Sequence, residues 1–165
     1  MDAGELTVLK ADIRAQMTMI EATLNRLKER SRGEWGDDLA RMESVAYQIH
    51  NLYNAVEDLL ELVAAFFENH MTDPSRRHTE LLRRMTYEIP GVRPALLSED
   101  SFLLLNSLRG FRHFFRHAYS IPLERDLLQI NLQKAFRLYP QLTQDVEHFL
   151  QQLTAQSGEG LDAGR

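Results

Sequence analysis

Apolar residues step by three or four along most of this chain, and where that rhythm stops the punctuation is glycine or proline. Leu6, Leu9, Ile13, Met17, Ile20, Leu24 and Leu27 form one stripe, which predicts a helix over about residues 3 to 30 with a charged opposite face. Ser31-Arg32-Gly33-Glu34-Trp35-Gly36 reads as a turn, after which Leu39, Met42, Ala46, Ile49, Tyr53, Val56, Leu60, Val63 and Phe67 keep the spacing through a second long helix. A shorter helix is predicted from about Ser75 to Tyr87, closed by Pro90-Gly91-Val92-Arg93-Pro94. Ser98 can serve as an N-cap with Glu99 and Asp100 in the first turn behind it, so a fourth helix should run from near Glu99 to about Ala118. Pro122 can open a last helix that reaches about Thr154, with a break or kink at Pro140. The Gly-rich polar stretch from Gln156 to Arg165 should be disordered.

No run of β-branched alternation interrupts this pattern, so the fold class is all-α: an up-and-down helical bundle of four to five helices. With 165 residues, 44% hydrophobic and 26% charged, one domain over residues 1–155 is expected. The absence of cysteine removes disulfides and thiolate metal sites and fits a cytoplasmic setting. The charged opening MDAGELTVLKADIR has no apolar signal segment, and the longest apolar run, Leu62 to Phe67, is too short to span a bilayer. No membrane partner is therefore expected.

Net charge is −5, which makes a local cluster of cations conspicuous. Arg109 to His117 holds three arginines, two histidines and no carboxylate, and Arg112, His117 and Tyr119 spell R-x4-H-x-Y. With 16 Arg and 6 His in the chain, the Arg–His pair alone is expected roughly 0.6 times by chance, and requiring the tyrosine lowers that to roughly 0.02. On a regular helix Leu104, Leu108, Phe111, Phe115 and Ala118 would share the packed side. Arg109, Arg112, His113, Arg116 and His117 would then share the outer side with Asn106 and Gly110. Glycine inside a helix costs about 1 kcal/mol, so Gly110 suggests close approach of another backbone or a ligand. Arg112 and His117 would point about 140° apart, and a two-fold axis near Gly110 would bring an arginine and a histidine from each of two copies into one cleft, hence a homodimer.

The R-x4-H-x-Y motif, with the flanking FRHFFRHAYSIPLERDLLQINLQKAF and the earlier YQIHNLYNAVEDLLELVA, resembles the HEPN superfamily and within it the HepT-like ribonuclease toxins, over roughly residues 38 to 153. That resemblance implies a metal-independent endoribonuclease acting as a homodimer, with Arg112 and His117 catalytic and RNA as substrate. It also implies a nucleotidyltransferase-like antitoxin that silences the toxin by attaching AMP to Tyr119. Arg109, His113 and Arg116 would hold the substrate, and no cofactor or metal is called for. RNA can be cut by its own 2′-OH when a base takes that proton, an acid protonates the 5′-oxygen and a cation steadies the phosphorane.

Blander readings compete at each position. The arginines could form a solvated helix face. His113 and His117 have the i, i+4 spacing of metal ligands, but no carboxylate or third histidine stands nearby in sequence to complete a set. His50 and His70 suit polar surface or satisfied partial burial, and Tyr119 a buried helix end. At the level of function the alternatives are a catalytically silent HEPN-like module that binds a nucleotide or partners a nucleotidyltransferase, and a plain helical interaction protein.

Overall fold

A computed structural model describes residues 3–68, 77–117 and 123–162, with side chains undescribed at 77–78, 113–117 and 157–162. Five helices occur in order: α1 (Ala3–Arg30), α2 (Leu39–Glu68), α3 (Arg77–Arg84), α4 (Glu99–His117) and α5 (Arg125–Asp162). Among the described residues the only β pairing is an isolated bridge between Ile89 and Arg93, so the all-α expectation holds. α2 is the central element and packs against all four others, while α5 also lies along α1 and α4. Its position follows from its sequence, since buried residues on α2 run from Met42 through Ile49, Leu52, Tyr53, Val56 and Leu60 to Ala64 and surround more than one face.

The ends of the helices are set locally. Asp38 caps α2, its side chain accepting the Arg41 amide at 3.1 Å. The preceding turn needs left-handed backbone at Gly33 (φ 75°) and Gly36 (φ 55°), and buried Trp35 closes it by donating to the Ser31 carbonyl at 3.2 Å. Ser98 is the N-cap of α4, accepting the Ser101 amide at 3.2 Å, and its hydroxyl donates to Asp145 on α5 at 2.9 Å. One serine thus starts a helix and ties it to its neighbour.

Two helix ends depart from the sequence expectation, and at Pro140 the helix does not break. α3 ends at Arg84, because Ile89 to Arg93 closes a tight turn in which Val92 donates to the Ile89 carbonyl at 2.9 Å with Gly91 at φ 75°. α5 continues through Pro140, which is exposed, while Leu138 and Leu142 on either side stay pinned in the core. The same helix extends to Asp162, so the segment expected to be disordered from Gln156 begins as helix: propagation adds a hydrogen bond per residue and tolerates Gly158 and Gly160 at about 1 kcal/mol each. His70 and Pro122 lie outside the described residues.

Candidate functional site

α4 docks on α2 and α5 through Ser101, Phe102, Leu105, Leu108 and Phe111, all buried. This corrects the helical-wheel expectation. Leu104 is only half-buried and Leu105 is fully buried. Leu105 stands seven residues before Arg112, so at about 100° per residue the two share one direction. Arg112 therefore does not lie on an outward polar face. It continues the docking stripe, reaches α2 half-buried, and finds its polar partner there.

That partner is Asn54, whose Oδ1 accepts the Arg112 Nε–H at 3.0 Å. The guanidinium carbon sits 5.8 Å from the centroid of the Tyr53 ring, within cation–π range. Tyr53 is buried and donates its hydroxyl to Glu57 one turn on at 3.3 Å. Burial, then the Glu57 charge and hydrogen bond, push the Tyr53 phenol well above its ordinary range, while Arg112 and Arg109 pull weakly the other way, so the phenol is neutral at physiological pH. On the far side of Asn54, its Nδ2 meets His50 Nε2 at 3.0 Å. His50 is thus in partial burial with a partner, one of the two environments expected for it.

Arg109, one turn before Arg112, donates through Nε and Nη2 to Asn106 Oδ1 at 3.2 and 3.1 Å and stays half-buried. His113, Arg116 and His117 fall within α4, but their side chains are not among the described ones, and Tyr119 lies outside the described residues. Gly110 is exposed, and among the described residues no atom lies within 4 Å of where a Cβ would stand. The close approach that a glycine suggests is therefore not made by any of the described residues.

His50, Tyr53, Asn54 and Glu57 were not picked out by motif reasoning. Their signal was present as i, i+3, i+4, i+7 spacing, a polar inlay beside the apolar stripe of α2. A cleft of about 420 Å³ between α1 and α5, lined among others by Lys10, Arg14, Met17, Tyr139 and Leu150, shares no residue with this group. Among the described residues no set of three or more His, Cys, Asp or Glu is placed to hold a metal, and no helix is long and apolar enough to cross a membrane.

These features define an all-α bundle whose central helix, α2, meets α4 at a half-buried arginine held by an asparagine. Residues 44–153, from the second turn of α2 to near the end of α5, match the HepT-like protein family, and the chain belongs to that family within the HEPN superfamily. α1 precedes the matched stretch. No curated protein and no solved structure gives a significant match.

Proposed function

We propose that this protein is a metal-independent endoribonuclease toxin of a HEPN and nucleotidyltransferase pair, acting in the cytoplasm as a homodimer. The observation that carries the reading is Arg112 itself: the motif arginine of a HepT-like chain is held by Asn54 beside the Tyr53 ring, with no carboxylate hydrogen-bonded to it among the described residues. A guanidinium whose partner is a neutral amide keeps its full charge for a phosphate. In the reaction, a 2′-oxygen bonds to the adjacent phosphorus as the bond to the 5′-oxygen breaks. One imidazole takes the 2′-OH proton, another protonates the departing 5′-oxygen, and Arg112 stabilises the charge on the equatorial oxygens. His117 supplies the imidazole, and two copies of the chain supply two. Arg109, His113 and Arg116 bind the flanking phosphates.

Open space beside Gly110 supports the dimer, since a second copy can approach there without displacing any of the described side chains. Gly110→Ala is expected to stabilise the dilute single chain by about 0.5–1 kcal/mol, because alanine is the better helix former and its Cβ meets none of the described atoms. It should weaken association in sedimentation velocity at micromolar concentration. A wild-type monomer at that concentration, or unchanged association of the variant, would count against the Gly110 contact.

Regulation gives the direct test of the toxin reading. AMP on Tyr119, two residues from His117, would add a charged phosphate and a bulky nucleoside where the RNA backbone must run. The wild-type chain alone should cut cellular RNA equally with and without EDTA. Co-expression with a nucleotidyltransferase partner should add the mass of one or more adenylates and stop cutting, and Tyr119→Phe should cut but escape that silencing. An EDTA-sensitive activity, or protection of an unmodified chain, would overturn the corresponding half of the proposal.

A further inference from the structure

The polar group on α2 has an internal logic that can be read from donors and acceptors. Arginine offers only donors, so the Asn54 atom 3.0 Å from Arg112 Nε must be the carbonyl oxygen. The reverse orientation would set NH₂ against N–H beside a positive charge. With Oδ1 committed to Arg112, the Nδ2 amide faces His50 Nε2 at 3.0 Å and has to donate to it. In this arrangement His50 Nε2 accepts from Asn54, which places the imidazole hydrogen on Nδ1. The three side chains are therefore ordered as His50 accepting from Asn54 and Asn54 accepting from Arg112, across two helices that the chain separates by 58 residues.

We infer that Asn54 is a positioning residue for Arg112, and that His50 sets the direction of the Asn54 amide so that its oxygen faces the guanidinium. The inference rests on the nuclease reading of Arg112 given above. Arginine has a long side chain with considerable rotamer freedom, and a cation that must meet a transient phosphorane gains from being fixed beforehand. Asn54 fixes one edge through Nε, and the Tyr53 ring packs near the guanidinium, whereas no hydrogen bond from its Nη nitrogens occurs among the described residues. An asparagine suits this place better than an acid: it accepts the same hydrogen bond without neutralising the charge.

Two measurements test the inference. On an RNA oligonucleotide cut by the wild-type chain, Asn54→Leu, which keeps the size but removes the acceptor, should lower kcat by roughly ten- to a hundredfold with KM changed by less than about threefold. Asn54→Asp retains the acceptor but sets a negative charge against the guanidinium and loses the donor to His50, so it should recover only part of that loss. Wild-type kcat in Asn54→Leu, or equal losses in a folded Leu and a folded Asp variant, would overturn the positioning role. The second measurement needs no variant and no activity: ¹⁵N NMR of the wild-type imidazoles should show His50 as the Nδ1–H tautomer at pH 8, and an Nε2–H tautomer would overturn the ordering. If Arg112→Ala cuts RNA as well as wild type, it is the nuclease reading that falls, while the tautomer still decides the hydrogen-bond chain.

Discussion

Arg112→Ala and His117→Ala are each expected to lower RNA cleavage by at least about a hundredfold and to relieve any growth arrest the wild-type chain causes, with the helical content unchanged. The size follows from the role, since deleting one preorganised charge or donor aimed at a developing oxyanion costs about 2.7–4 kcal/mol in well-studied enzymes. For Arg112 the structural cost is smaller. Its removal leaves the Asn54 oxygen without its donor, but Asn54 is only half-buried and water can reach the space vacated by the guanidinium. Arg112→Lys separates charge from geometry: the ammonium keeps the charge but cannot place two edges of a planar fork, so activity should fall between alanine and wild type. Rates on a fixed RNA oligonucleotide, beside circular dichroism and melting of each variant, check the set. Near wild-type cleavage in either alanine variant would remove that residue from the catalytic assignment.

The second large effect is on stability and falls at Arg93. Its side chain is fully buried, with Nε and Nη2 donating to Glu68 Oε1 at 2.8 and 2.6 Å. The remaining donors reach the backbone carbonyls of Tyr87 at 3.2 Å, Pro94 at 3.1 Å and Arg84 at 3.0 Å. One guanidinium thus joins the end of α2, the end of α3 and the turn leading to α4. Arg93→Ala strips the donors from three carbonyls and leaves Glu68 with Arg84, its other ionic partner. Breaking a buried pair by removing one member costs about 3–5 kcal/mol, a large part of the 5–15 kcal/mol that holds a typical domain together. The expected result in urea is a clear drop in midpoint at unchanged slope. Arg93→Lys should recover only part of it, because one ammonium cannot span five acceptor contacts. A loss below about 1 kcal/mol would show that the cluster rearranges at little cost.

Helix positions were legible because their determinants are local. The i, i+3, i+4 stripes of α1 and α2, the Ser98 cap and the turn glycines act within a few residues, and the resemblance carried by Arg112, His117 and Tyr119 is borne out at the level of the HepT-like family. The direction of Arg112 differs from the helical-wheel expectation for a definable reason. Counting polar residues put Arg112 outward, whereas the docking direction is set by which apolar column finds a partner, and that column runs through Leu105 and Leu108. A long arginine at the end of such a column can turn inward when the facing helix offers an acceptor.

By itself the sequence determined that the chain is helical, roughly where each helix begins, and that arginine, histidine and tyrosine form a rare grouping at Arg112, His117 and Tyr119. Tertiary structure alone decided that Asn54 meets Arg112, that Tyr53 and Glu57 stand behind them, and that Arg93 is an interior residue rather than a loop charge. Hydrogen-bonding periodicity and capping depend on neighbours in the chain. Burial and polar pairing depend on neighbours in space, here 58 residues apart for Arg112 and Asn54 and 25 apart for Arg93 and Glu68, and the cost of leaving such groups unpaired inside the protein is what selects those pairs.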